Sequence, residues 1–502
     1  MNSSDNNYDA IIIGAGLGGL ITGAILAKLE GMKVLVLEKE ETIGGKLFTF
    51  EHYEGDEKTF LKKLYTHSRS RLVDSSSDFS EMIGNKTFSK YIIEGGWHSF
   101  INSDRSRQSF IAQALGENLK VFGNEGFRLY GEDKWEELRY LQRNWTKEDF
   151  QEGKVVSREM NLMSKEEAEE YDNIDLESFL RSRTTSQNVI NFHLWLAGWE
   201  VGTNNPKNIS AGEHIKVISM VHCAGKDFTN GGGGQPLGGH LEVARLFAKV
   251  IEENGGTIRV STPVEELVIE NYQAKGVKTA DGIIKASKVI CNVPMWRAIN
   301  LIGKEYFPDE FLKRSEDMAP CGGILGWIST KRPLDPDYRG LYILPVLPGC
   351  KKSDGFTGDV LFSFEDVATY DKSRAPEGEG LMPIWAAMDI KNPDEIHNKE
   401  LIDKIVKGIF TFMRKEYPDF DELLNWYIVT ACEELYSVAS KPGMVGNLRM
   451  PTKSPLVKNL FFTGDGTQQW SFGQSGAAGG AVNCASAVTG KDCSVILPFF
   501  MR

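Results

Sequence analysis

Two apolar periods open the chain. Ala10 to Ile13 is a short run of apolar, mostly β-branched residues, which predicts a strand buried on both faces. Past a glycine-rich turn, apolar positions recur at Leu20, Ile21, Ala24, Ile25 and Ala27, the spacing of a helix from about Leu17 to Leu29 whose end signal is Gly31. Met32 to Leu37 predicts a second buried strand, which completes a βαβ unit. Further along, the pattern predicts helices over Arg107 to Leu115, Asn188 to Glu200, Leu241 to Asn254 and Lys399 to Tyr417. It predicts strands over Thr257 to Val260, Gly322 to Thr330, Asp359 to Phe364 and Pro383 to Met388. A buried strand ends at Gly464, and a helix of small residues begins at Gln474. Phe50 to Tyr91 is polar and broken, so 51–90 reads as a surface insertion or lid; Gly231 to Gly234 reads as a flexible loop and a candidate hinge.

The turn inside the βαβ unit carries the first chemistry. Gly14, Gly16 and Gly19 form G-x-G-x-x-G, and the segment Gly14, Ala15, Gly16, Leu17, Gly18, Gly19 places backbone amides and a positive helix terminus where a pyrophosphate docks. Glu38, about twenty residues on at the end of the second strand, is the carboxylate expected to accept ribose hydroxyls, with Lys39 beside it. This is a Rossmann-like dinucleotide site in an α/β fold.

At 502 residues, two or more domains are expected. The net charge of -12 argues against nucleic acid and against electrostatic docking to anionic lipid, which leaves small molecules as the expected partners. The seven cysteines are scattered and never form C-x-x-C, so no metal site or disulfide framework is expected. Without a signal sequence or an apolar run long enough to span a bilayer, the protein is expected to be cytoplasmic. The apolar ending Val495 to Met501 is a candidate for peripheral membrane contact or for a docked C-terminal segment.

The continuation Glu38-Lys-Glu-Glu-Thr-Ile-Gly-Gly-Lys46 resembles the E-x-x-x-x-x-G-G-[RK] tail of the FAD family that holds phytoene desaturases, carotenoid isomerases, retinol saturases and flavin amine oxidases. The resemblance implies FAD, with Gly44 and Gly45 running beside it and Lys46 near its phosphates. Tyr91 to Phe100 resembles the family's flavin loop, which puts Gly95 and Gly96 against the ring and makes Glu94 and His98 candidates for catalysis; the family aspartate falls on Ile93. The run from Gln235 to Pro294 is similar to the stretch after Y-P-x-G-G in phytoene desaturases and implies that Val264 pairs with adenine. Asn459 to Ala481 implies that Gly464 and Asp465 hold the ribityl chain, while Gln474 and Ser475 begin a helix whose amides face the flavin carbonyls.

The implied architecture is a discontinuous, GR2-type FAD-binding domain (1–100, 235–295 and 456–492) with an interleaved α+β substrate domain (101–234 and 296–455). The implied activity is desaturation, saturation or isomerisation at a C–C bond of a hydrophobic, isoprenoid-like substrate. A flavin amine oxidase is the first alternative. Glu434-Leu-Tyr-Ser437 resembles the segment before that group's aromatic cage, but the cage positions fall on Lys441 and Gly473, and Ser440 stands where some relatives link the flavin through cysteine. Lys441 is a third catalytic candidate because its loop is expected near the flavin, and with Ser440 in place of the linking cysteine noncovalent FAD is expected. The second alternative is a prenyl-binding escort-like protein. Within the Asn188 to Glu200 helix, Phe192, Trp195 and Trp199 are read either as core or as substrate lining.

Overall fold

The computed structural model describes residues 7–502 except 132, 138–141, 143, 204, 226–232, 319, 389–395 and 437. Strand β1 (Asn7–Ile13), helix α1 (Leu17–Glu30) and strand β2 (Val34–Leu37) form the expected βαβ unit. β1 pairs in parallel with β2, Ala10 opposite Val34 and Ile13 opposite Leu37, and on its other edge with Gly282–Cys291. The Thr257–Arg259 and Leu460–Phe462 strands also run parallel, and Glu266–Glu270 with Gln273–Thr279 close a seven-stranded sheet.

Both faces of this sheet are covered, which is why its central strands read as continuous apolar runs. Ile12, Val34 and Val36 pack under α1 and the Leu241–Glu253 and Gly473–Thr489 helices, whereas Ile11, Leu35 and Leu37 pack on the other side with Met295 and Phe462. All parallel strands thus end at one edge, where an open α/β sheet holds its ligand.

A second sheet of eight strands runs in the order Ser70–Ser75, Leu424–Tyr436, Cys321–Thr330, Gly380–Met388, Phe362–Phe364, Leu341–Leu344, Phe127–Gly131 and Lys134–Glu137. It is antiparallel except where Leu341–Leu344 meets Phe127–Gly131. The Lys399–Glu416 helix covers one face through Ile405, Ile409 and Phe412. The Lys147–Leu162, Gln187–Val201 and Ala211–Cys223 helices cover the other.

Three expectations are corrected. Residues 51–90 do not form a surface excursion: α2 (Glu57–Ser68), N-capped by Asp56, leads into Ser70–Ser75, the edge strand of the second sheet. The segment looked polar because only one face is buried, and there Phe60 and Phe88 sit in a cluster with Trp327 and Trp426. The glycine run is not a free hinge either. Gly233–Pro236 is a strand paired with Phe100–Ile101 and Val121–Gly123, and a Cβ on Gly234 would lie 2.5 Å from the Phe122 carbonyl oxygen; Gly231 and Gly232 lie outside the described residues. The strands expected to begin at Asp359 and Pro383 begin at Phe362 and Gly380.

Candidate functional site

A cavity of about 480 Å³ runs from the C-terminal edge of the parallel sheet into the space beside the second sheet. Gly14, Gly16, Leu17 and Gly18 line its first part. Gly14 bends the chain at φ 97°, and a Cβ on Gly19 would stand 2.3 Å from the Gly14 carbonyl oxygen, so α1 can approach the strand this closely only with glycine there. The N-cap of α1 is Gly16 with no side-chain cap, so the first-turn amides keep no intrahelical partner where the helix meets the cavity.

Glu38 is buried at the end of β2 and borders the cavity. Its Oε2 accepts the Ala15 amide at 2.8 Å and its Oε1 the Glu40 amide at 2.9 Å. It therefore fastens the glycine turn as well as presenting a carboxylate. Ala15 itself is buried behind the turn, and its carbonyl accepts the Gly44 amide at 2.8 Å, which holds Gly44, Gly45 and Lys46 along the same wall. Lys39, Val264 and Asn292 complete this end, and the Asn292 side-chain amide donates to the Gly14 carbonyl at 3.2 Å.

Gly464 and Asp465 border the cavity after Leu460–Phe462, and the Gly473–Thr489 helix starts there without a side-chain cap. Gln474 borders it too, and its side-chain oxygen and nitrogen are buried with no hydrogen-bond partner among the described residues, the signature of groups that await a polar ligand. Ser475 is buried beside it. Beyond this point Trp97, Trp199, Leu435, Tyr436 and Phe472 form an apolar wall. Arg297 is ion-paired with Glu434, and Arg69 Nε stands 3.9 Å from the same carboxylate; all three border the cavity.

Of the catalytic candidates, only His98 reaches the cavity. Its Nε2 meets the Lys46 carbonyl oxygen at 2.9 Å, and burial together with the neighbouring His240 pushes it down to about 4, so the ring is neutral at physiological pH. Glu94 is corrected: it lies behind the wall, 3.1 Å from Arg374 and 3.0 Å from His240. Burial alone raises its carboxyl, but His240 and Arg374 outweigh that and hold it well below the usual range. Gly95 and Gly96 border a separate small space with Trp327 and Thr430 rather than the main cavity, because the Ile92–Glu94 strand pairs with Thr49–Glu51 and the chain turns inward only at Trp97.

Lys441 is also corrected. Its Nζ donates to the Asp317 carbonyl at 3.2 Å, away from the cavity, while Ser440 is buried and accepts from Arg449. Gly473 does border the cavity, with the Tyr436 ring 2.9 Å from where its Cβ would be; Ser437 lies outside the described residues. Of the aromatic helix, Trp199 lines the cavity and Phe192 and Trp195 do not. Sequence reasoning missed Thr66, His67 and Arg69, hidden in the supposed insertion, and also Arg297, Tyr436 and Glu200.

A βαβ glycine turn, a buried carboxylate at the second strand, and a second uncapped helix terminus with orphaned amide groups, all on one cavity, fit FAD. Bound there, FAD supplies two-electron hydride exchange at its ring system.

The chain belongs to the family described as flavin containing amine oxidoreductase, whose model matches residues 17–489. It is 28% identical over 319 residues to an inactive all-trans-retinol 13,14-reductase from Danio rerio, a match covering 58% of this chain and 48% of that protein. It thus matches about half the length of that relative. It is 23% identical to a 4,4'-diapophytoene desaturase from a Methylomonas species (76% of this chain, 74% of that one) and 24% identical to a prolycopene isomerase from Daucus carota (80% and 67%). Among solved structures, an oxidoreductase from Methanosarcina mazei shares the fold at a TM-score of 0.71 and 17% identity, over 94% of this chain and 99% of that one.

Proposed function

We propose that this oxidoreductase desaturates, saturates or isomerises a C–C bond in a long, hydrophobic, isoprenoid-like polyene. The observation that carries the reading is the wall of Trp97, Trp199, Leu435, Tyr436 and Phe472 that continues the cofactor cradle. Such a surface strips water from an apolar chain and offers few groups to a small polar substrate. The desaturase and isomerase names among the relatives support the same reading. An amine oxidase is the alternative left by the family as a whole, but Lys441, one of the two cage positions expected from sequence, lies outside the cavity. Glu38, Gly45 and Asp465 all border the cradle, which favours a flavin enzyme over an escort protein.

In this reading the amides of Leu17 and Gly18 hold the pyrophosphate, Glu38 the ribose, Val264 the adenine and Asp465 the ribityl chain; Gln474, Ser475 and their helix face the ring. The substrate domain then comprises the second sheet and its helices, with 51–90 as part of its frame. Among the described residues no helix is long and apolar enough to cross a membrane. The C-terminal segment is docked, with Leu497 and Met501 buried in the core beside the Gly473–Thr489 helix; we infer a cytoplasmic protein in which the exposed Val495 and Phe499 are the side chains that would meet a membrane surface.

The test is anaerobic mixing of FAD-loaded protein, in its oxidised and reduced forms, with phytoene, diapophytoene, prolycopene and retinol in detergent micelles, beside a panel of mono- and polyamines. A change in flavin absorbance or a new polyene on chromatography, with the amines inert, is the expected result. Bleaching by an amine with aldehyde formation would overturn the reading.

A further inference from the structure

Two arginines share one carboxylate where the two sheets meet at the cavity. Arg297 lies in the first turn of the Met295–Ile302 helix, and its Nη2 is ion-paired with Glu434 Oε1 near the end of the Leu424–Tyr436 strand. Arg69 caps the C-terminus of α2 with a left-handed φ of 56°, and its Nε stands 3.9 Å from the same oxygen. Both guanidinium side chains stay partly open, 39% for Arg297 and 28% for Arg69, and both border the cavity.

Few of their donors are spent. Arg297 gives one side of its five-donor fork to Glu434. Arg69 makes no side-chain hydrogen bond among the described residues, only ion pairs of 3.7 Å and 3.9 Å and a stack on the Tyr65 ring. Glu433, on the opposite face of its strand from Glu434, is shared between Arg69 and Arg71. Three arginines thus share two carboxylates, and Lys46 borders the same cavity, so this corner keeps a positive excess that suits an anion.

The glycine turn lies between the walls that carry them. Asn292, five residues before Arg297, packs against that turn: its side chain lies 3.0 Å and 2.8 Å from where Cβ atoms on Gly16 and Gly18 would stand. On the other side α2 ends behind the Gly44–Lys46 loop, with His67 stacked on Phe48 at 4.2 Å and its Nε2 3.5 Å from Thr42 Oγ1. A Cβ on Gly45 would stand 3.2 Å from Gly16 Cα, so this loop lies directly against the turn.

From this geometry we infer that Arg69 and Arg297 form the outer half of a diphosphate clamp. The amides at the start of α1 take one side of the FAD diphosphate, the two guanidinium groups take the other, and Glu434 sets the arginines in place. A planar fork of N–H donors matches phosphate oxygens, which explains arginine at both positions. Arg297 comes from the parallel-sheet domain, whereas Arg69 and Glu434 flank paired strands of the second sheet. The clamp therefore also ties the two sheets together across the cofactor, and release of FAD requires the Arg297–Glu434 pair to open. The inference rests on FAD alone and is independent of the polyene reading.

Flavin binding tests the clamp without turnover. Full-length protein freed of flavin is titrated with FAD and, separately, with riboflavin, which has the ring but no phosphate; quenching of flavin fluorescence reads both. Arg297→Met and Arg69→Met should each weaken FAD binding roughly ten- to a hundredfold and leave riboflavin unchanged. Wild-type affinity for FAD should also fall more steeply with added salt than that of either variant. Arg339→Met, which removes an exposed arginine outside the cavity, should leave both flavins unchanged. Arg297→Lys keeps the charge beside Glu434 but not the fork, so it should bind FAD several-fold less tightly than the wild type, and it carries the test if the methionine variant does not fold. Wild-type FAD affinity in the Arg297 and Arg69 variants, or an equal loss of riboflavin, would overturn the clamp.

Discussion

Glu38→Ala should do two things that separate experiments can tell apart. The carboxylate accepts the Ala15 amide at 2.8 Å and the Glu40 amide at 2.9 Å, so truncation removes two charge-assisted hydrogen bonds and leaves the buried Ala15 amide without its acceptor. At about 1.5–3 kcal/mol for each such bond, less the share that water restores at the partly exposed Glu40 amide, the protein without FAD should lose roughly 2–4 kcal/mol. As the proposed ribose acceptor, Glu38 should also cost FAD affinity when truncated, by a further ten- to a hundredfold, roughly 1.4–2.7 kcal/mol. Glu38→Gln keeps a carbonyl acceptor for one amide, so it should recover about half of the stability loss while still binding FAD weakly. The assays are urea unfolding of FAD-free protein and quenching of flavin fluorescence on titration. An Ala variant with a wild-type urea midpoint would show that the carboxylate does not fasten the glycine turn. Unchanged FAD affinity would remove it from the ribose site.

Two further outcomes are expected. Glu94→Ala leaves Arg374, itself 1% exposed, buried without its carboxylate, and should cost about 3–5 kcal/mol in urea unfolding; at saturating FAD the folded fraction should keep a wild-type flavin spectrum, because Glu94 stands outside the cavity, and a shifted spectrum would argue otherwise. His98 sits at about 4 when folded against 6.5 when unfolded, so the folded state binds fewer protons between those values, and the stability from a neutral His98 is lost as pH falls from 6.5 towards 4. His98→Gln should therefore gain on the wild type by about 1–2 kcal/mol between pH 6.5 and 5, measured by urea unfolding at each pH; a difference independent of pH would refute the assignment.

What the chain spells out locally survives folding almost unchanged. β1, α1 and β2 form where the apolar periods put them, and Gly14, Gly16 and Glu38 meet at one cavity, because a strand, a tight turn, a helix and a strand within thirty residues leave few ways to pack. The same holds for Gly464, Asp465 and Gln474 at the far end of the chain, where a buried strand and a helix of small residues dictate a close approach to α1.

Distance in sequence decided the rest. Glu94 looked like a flavin-loop acid, yet partners 146 and 280 residues away, His240 and Arg374, draw it into a buried ion cluster. Lys441 and Tyr436 are five residues apart, and only the path of the Leu424–Tyr436 strand and the turn after it decides that the ring faces the cavity and the ammonium does not. Residues 51–90 read as polar because one buried face of α2 and an edge strand carry few apolar positions; their place in the second sheet depends on pairing with residues 428–432. Glu200, His214 and His193 show the same limit. Period and propensity assign each to a helix, but only the packing of the two helices puts a carboxyl and two imidazoles in hydrogen-bonding line, since side-chain chemistry is set by tertiary neighbours that no local pattern encodes.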